Sequence, residues 1–166
     1  ICSIMFNEEV LLPLWIEAWS AMPFINKIYI IDGGSTDKSV EIAKKYRIRI
    51  MFELADNKQD NIKNIAKILK KVPSLYFLLD IGHTNLQKGP IEFIKKFHKK
   101  IKHVHLHDNH GEEDEHLEIE QGNINWSKVI KVLKRYYDGT ITLELFLRKY
   151  KSESKKKKAL LKNKDK

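Results

Sequence analysis

Cys2 is the only cysteine in 166 residues, so no disulfide can form within the chain. That usage suits a reducing, cytoplasmic setting. Cys2 lies in an apolar stretch and is expected to be a core-facing thiol on a first strand, not a nucleophile. No apolar run approaches the roughly 20 residues needed to cross a bilayer. The longest candidate, 10–24, is interrupted by Pro13, Glu17 and Pro23 and reads as an amphipathic helix. No basic segment or small-residue cleavage site opens the chain, which argues against a signal peptide. The lack of an initiator Met leaves room for a start upstream of Ile1. No Gly/Ser-rich linker, low-complexity tract or internal repeat marks a boundary, and histidine is missing from every position before His83.

What is abundant is lysine. The net charge is +9, but residues 151–166 hold eight Lys against Glu153 and Asp165, a net of +6. The rest of the chain carries only +3. A Lys-rich terminal helix fraying into a tail is usually a solvated face, so the charge argues against specific nucleic-acid binding.

Short apolar runs alternate with helical patterns six times. Strands are expected at 1–6, 27–31, 47–54, 75–81, 103–106 and 140–145. Helices are expected at about 8–21, 37–46, 59–71, 90–99 and 126–136, with a last one from about 151. A long polar loop spans 109–125. Such alternation implies an α/β fold of parallel βα units with right-handed crossovers, two units short of a closed eight-stranded barrel.

Parallel strands bring their C-terminal ends to one face, and four of them end on metal-binding side chains: Glu53, Asp80, His105 and Glu144. Two Glu, one Asp and one His make a hard, mostly oxygen donor set that suits Mn, Mg, Co or Zn.

The first third carries a different signature. Asn7-Glu8-Glu9 follows the first strand and Asp32-Gly33-Gly34-Ser35-Thr36-Asp37 follows the second. Glycines permit close backbone approach, Asp32 can accept from a ribose or base, and a helix N-terminus favours anions. An ordinary turn with Thr36 or Asp37 as helix cap fits equally. Residues 1–48 resemble the opening of the family 2 glycosyltransferases, which have a Rossmann-like GT-A fold. The resemblance implies that Asp32 contacts a sugar nucleotide. That family's Asp-x-Asp metal motif and later carboxylate base are missing from where they would fall, which argues against an intact glycosyltransferase.

From about residue 49 the motifs are Phe52-Glu53-Leu54, Leu79-Asp80-Ile81-Gly82-His83, His103-Val104-His105-Leu106-His107-Asp108, Asp114-Glu115-His116 and Leu143-Glu144-Leu145. In order and at strand ends, they resemble the last four βα units of the xylose isomerase-like TIM barrels. That superfamily includes sugar-phosphate isomerases and epimerases and endonuclease IV. The resemblance implies a half TIM barrel over 49–150, preceded by a βαβα fragment at 1–48 and followed by a Lys-rich tail at 151–166. It implies a divalent metal on Glu53, Asp80, His105 and Glu144. Glu53 and Glu144 would be the bases that move a proton next to the carbonyl of a sugar or sugar phosphate. His83 would orient substrate or join the ligands, and His83, Asp114 and His116 match extra ligands of the trinuclear endonucleases. Two further His of those enzymes have no counterpart, since the chain lacks His before His83. Glu120 makes the loop at 119–122 more acidic than a phosphate site favours.

Other residues have plainer readings. His103 is expected to point off the barrel axis, and His107 and Asp108 to hydrogen-bond a ligand from behind. His98 and His110 read as surface residues, and Glu112, Glu113, Glu115 and Glu118 as solubilising loop charge. Trp15, Trp19 and Trp126 read as core packing. The leading functional expectation is a metal-dependent sugar isomerase or epimerase. A DNA-repair hydrolase, a sugar-nucleotide-binding fragment and an inactive hybrid or truncated chain are the alternatives. Two chains completing one barrel, as a homo-oligomer, is a further expectation.

Overall fold

A computed structural model describes residues 2–25, 28–53, 61–87 and 89–146; among the side chains, those of 2–4 are also undescribed. The expected helix from about 151, the Lys-rich tail and the side chain of Cys2 lie outside the described residues. Six parallel strands pair in chain order, each with its sequence neighbour: β1 (Cys2–Met5), β2 (Tyr29–Asp32), β3 (Arg49–Glu53), β4 (Tyr76–Asp80), β5 (Ile101–Leu106) and β6 (Thr140–Leu143). The helices are α1 (Leu12–Ser20), α2 (Ser39–Lys45), α3 (Ile62–Lys71), α4 (Ile81–Asn85), α5 (Pro90–Phe97) and α6 (Trp126–Tyr136). The sheet curls into a half-barrel. β1 and β2 extend the edge of that sheet through β3 and do not stack on it as a separate layer.

Strand geometry sorts the side chains. Neighbours in a strand point to opposite faces, so residues two apart share one. Phe77 and Leu79 of β4 pack with Phe93, Ile94, Val129 and Leu133 of the helices. Leu78, between them, packs with Ile31 of β2 and Met51 of β3 on the inner face. Glu53 follows Met51 by two and Asp80 follows Leu78 by two, so both carboxylates emerge on the inner side. Ile30 belongs with Leu12, Ile16 and Ala43 on the helix side. Asp32, two residues after Ile30, therefore leaves β2 on the side away from Glu53 and Asp80.

The helices start where local chemistry supplies caps. Asn61 accepts from the backbone N–H of Lys63 and Asn64 at the start of α3, and Asn125 accepts from Lys128 at the start of α6. Pro90 opens α5, where its missing N–H costs nothing. The short helix α4 was not expected from the sequence, which places a loop after β4. It forms because Asp80, the last residue of β4, turns its own Oδ1 back onto the N–H of His83 at 2.9 Å. Trp126 is buried and Trp15 and Trp19 are partly buried against the N-terminal core, as packing residues should be. Among the described residues no helix is long and apolar enough to cross a membrane.

Candidate metal centre

Register alone aligns the first cluster. Asp80 is paired with His105 across β4 and β5, Glu53 is paired with Leu78, and Glu144 follows β6 directly. Ligand atoms of Glu53, Asp80, His105 and Glu144 all fall within 4.8 Å of one another. His105 Nδ1 lies 2.7 Å from Glu144 Oε2, 3.1 Å from Glu53 Oε1 and 3.8 Å from Asp80 Oδ2.

These contacts are close without being good hydrogen bonds. His105 Nδ1, Asp80 Oδ2 and Glu144 Oε2 are all buried, and none has an aligned hydrogen-bond partner among the described residues. Buried polar atoms are normally paired, so three that converge while misaligned fit a shared cation better than they fit one another. The donor set agrees: three carboxylates and an imidazole suit a hard divalent ion.

Electrostatics supports the same reading. Burial disfavours a proton on His105, yet the Glu144 and Glu53 carboxylates outweigh it and push the imidazole up to about 10. The imidazolium thus stands in for a cation among three acids. Contact with His105 holds Glu144 below the usual carboxylate range despite its burial. Burial pushes Asp80 up, but His107, His83 and the His83 N–H together win and lower it.

A second cluster lies beside the first, with ligand atoms of His83, His107, Asp114 and His116 also within 4.8 Å of one another. Asp114 Oδ2 is 2.9 Å from His116 Nε2 and 3.3 Å from His83 Nε2. Burial of Asp114 is opposed by these two imidazoles, which hold its carboxyl well below the usual range. The same carboxylate raises His116 against its own burial, helped by the Glu144 carbonyl at 2.9 Å from Nδ1. Sequence reasoning put His83, Asp114 and His116 together but gave His107 only a supporting place. The spacing of His103, His105 and His107 by two was the available signal.

That spacing also corrects His103. It does not point off the axis but shares the face of His105, with ring centroids 5.1 Å apart, and its nitrogens meet Thr140 Oγ1 and Thr142 Oγ1. Glu118 is buried and is not solubilising charge, and His98 is half-buried against Tyr136. Asp108, fully buried, anchors the loop after β5 by accepting from Trp126 Nε1 and the N–H groups of Asn109, Glu120 and Ile124.

Asp32 accepts from the Ser35 N–H at 3.1 Å, as in an ordinary turn. The other polar residues of the two N-terminal loops bind each other. Asn7 receives the Thr36 N–H and gives its own to Ser35 Oγ, while Glu9 accepts from Lys38 and gives its N–H to Asp37. This mutual lacing ties the ends of β1 and β2 together.

The model of the xylose isomerase-like TIM barrel family matches residues 35–164. The chain belongs to that family. A xylose isomerase-like relative, uncharacterized protein MJ1311 of Methanocaldococcus jannaschii, is 37% identical over 138 residues, 77% of this chain and 46% of that protein. The chain thus spans less than half of that relative's length. Uncharacterized protein MJ1614 of the same organism is 46% identical over 69 residues, 42% of this chain and 27% of that protein. Among solved structures, a D-tagatose 3-epimerase-like protein superimposes with a TM-score of 0.62 at 28% identity, over 99% of this chain and 62% of that one. A sugar phosphate isomerase/epimerase from Parabacteroides distasonis shares the fold, with a TM-score of 0.59 at 16% identity, over 96% of this chain and 70% of that one. The family assignment covers the strands that carry both clusters, and the epimerase-like superposition extends to β1 and β2.

Proposed function

We propose that the first cluster is the reaction centre of a divalent-metal-dependent sugar or sugar-phosphate isomerase or epimerase. The observation that carries this is the convergence of Glu53, Asp80, His105 and Glu144 with three buried donor atoms that lack aligned partners. A bound divalent ion would act as a Lewis acid on a ketose carbonyl and its neighbouring hydroxyl. Asp80, fully buried and fixed by the His83 N–H, serves as the rigid ligand. Glu53 and Glu144 are the proposed bases, removing and returning a proton on the carbon beside the carbonyl. Both are more accessible than Asp80, as groups that must reach substrate should be. Residues 49–150 are proposed as the functional unit, with 1–48 as its flanking part.

The test is exchange of solvent deuterium into a panel of ketoses and ketose phosphates, with chelator-stripped protein reloaded with Mn, Mg, Co or Zn. Exchange should require the ion. In Glu144→Gln it should fall by about 10²–10⁴-fold, the range for loss of a general base. Ion-loaded protein that exchanges no member of the panel would overturn the reading.

A second reading, metal-dependent phosphodiester hydrolysis, draws on the grouping of His83, Asp114 and His116 in the second cluster. Zinc-dependent cleavage of DNA at abasic sites, with no deuterium exchange into sugars, would favour it.

A further inference from the structure

His107 is fully buried, and neither of its ring nitrogens has an aligned hydrogen-bond partner among the described residues. An unpaired buried polar group costs about 1–3 kcal/mol. The nearest oxygen to Nε2 is Asp80 Oδ1 at 2.9 Å, but that oxygen already accepts the His83 N–H. The same Nε2 is 3.6 Å from Asp114 Oδ1, another buried atom without a partner. The ring has little room to turn away. His116 stacks on it with centroids 4.0 Å apart and planes 12° apart, and it lies against Gly82, where any Cβ would overlap it.

The tautomer of His116 is set by its surroundings. Its Nδ1 faces the Glu144 carbonyl oxygen at 2.9 Å, which only a protonated nitrogen can satisfy. In the neutral ring Nε2 then carries the lone pair, and that atom faces Asp114 Oδ2. An orienting hydrogen bond on the far nitrogen is the usual partner arrangement of a metal-bound imidazole. His83 Nε2 completes the group from α4, its ring at 74° to that of His107.

We propose that His83, His107, Asp114 and His116 form a closed, four-ligand structural site for zinc or a similar ion. His107 takes the fourth position, which a hydrolytic site keeps for water. Zinc sites with four protein ligands are structural, whereas catalytic sites keep one position open. With zinc–ligand bonds near 2.0–2.1 Å, the edges of a tetrahedron are about 3.4 Å, and the contacts to Asp114 of 2.9, 3.3 and 3.6 Å bracket that length. The site joins α4, the segment after β5 and the long loop. It braces the first cluster from two sides, through Asp80 beside His107 and through the Glu144 carbonyl held by His116. It goes beyond the proposed reaction and does not depend on it.

The experiment isolates this site in the full chain with Glu53→Gln/Glu144→Gln, which weakens the first cluster. Zinc and cobalt(II) are titrated into stripped protein, with stoichiometry read by native mass spectrometry. Geometry is read from cobalt visible absorption and from zinc X-ray absorption. One ion per chain is expected, with the intense absorption of tetrahedral cobalt and a zinc shell of three imidazoles and one oxygen. Adding His107→Asn should weaken affinity about 100-fold or more, at or beyond the upper end of the loss for an outer-shell partner. It should also replace the tetrahedral spectrum with a weaker one. A zinc shell with only two imidazoles would overturn the proposal, as would a His107→Asn chain with unchanged affinity and spectrum. The zinc shell is measured with His107 intact, so it decides the matter even where His107→Asn does not fold. Failure of deuterium exchange would leave these readouts untouched.

Discussion

His103 and His105, two residues apart on β5, stand edge to face with ring centroids 5.1 Å apart and planes at 86°. They are held in opposite protonation states. Burial, with the charge on His105 adding to it, pushes His103 down to about 4, while Glu144 and Glu53 overcome burial to push His105 up to about 10. In the cation-free chain the two therefore bend stability in opposite directions. A lowered His adds stability that is complete above its unfolded value of 6.5 and is lost as pH falls toward about 4. A raised His adds stability that is complete below 6.5 and is lost as pH rises through about 10. Thermal melts of chelator-stripped protein should show both arms. His103→Gln should flatten the decline between pH 6.5 and 4, and His105→Gln the decline between 6.5 and 10. A wild-type profile flat from pH 6.5 to 10 would contradict the assignment for His105.

Cation binding at the first cluster has to displace the proton on His105. At neutral pH, close to one proton from this residue should leave per ion bound, because the folded imidazole titrates near 10. Affinity should rise about tenfold per pH unit between 7 and 9. Calorimetry in buffers of differing ionisation enthalpy measures the proton directly. His105→Gln should abolish its release as well as most of the affinity.

The first cluster was legible because it follows from local rules. Strand ends can be read from apolar runs, and residues two apart share a face, so Glu53, Asp80, His105 and Glu144 converge without knowledge of distant contacts. The same rule, applied to His103 and His107, should have placed them beside His105. The helix α4 was hidden because its cap is the side chain of Asp80, which reads as a ligand, and because Gly82 is a weak helix former. Asp108 as an anchor was hidden for another reason: its donors Glu120, Ile124 and Trp126 lie 12 to 18 residues away and have no local pattern. The lacing of Asn7 and Glu9 with Ser35, Thr36, Asp37 and Lys38 spans still longer separations. A turn with polar caps looks the same in sequence whether it binds a nucleotide or a neighbouring loop.

Gly82→Ala separates propensity from packing. Alanine is favoured over glycine in a helix by up to about 1 kcal/mol. At this position its Cβ would overlap the His107 ring, which His116 and full burial hold in place. Overpacking of this kind costs about 1–3 kcal/mol, so the net effect should be destabilising, by up to about 2 kcal/mol. Urea unfolding should show a lower midpoint, with weaker ion binding at the second cluster. A more stable Gly82→Ala would mean that the His107 ring moves freely.

Asp108 offers a graded test of how the long loop is held. Its Oδ1 accepts from Asn109 and Ile124 N–H groups at 2.9 and 3.3 Å, and its Oδ2 from Glu120 N–H at 3.0 Å and Trp126 Nε1 at 2.6 Å. Asp108→Asn puts an NH₂ group where one oxygen was, so two donors lose their acceptor and meet another donor. At about 1–3 kcal/mol for each unsatisfied buried group, the loss should be about 2–4 kcal/mol. Trp126→Phe removes one donor and leaves the carboxylate three partners, so its hydrogen-bond loss should be smaller, about 1–2 kcal/mol. The double variant should lose less than the sum, because the two changes share the 2.6 Å bond. The loop carries Asp114 and His116, so ion affinity at the second cluster should fall further in Asp108→Asn than in Trp126→Phe. Strict additivity in urea unfolding, or an Asp108→Asn chain within 0.5 kcal/mol of wild type, a change typical of ordinary surface sites, would show that the loop is held by other contacts.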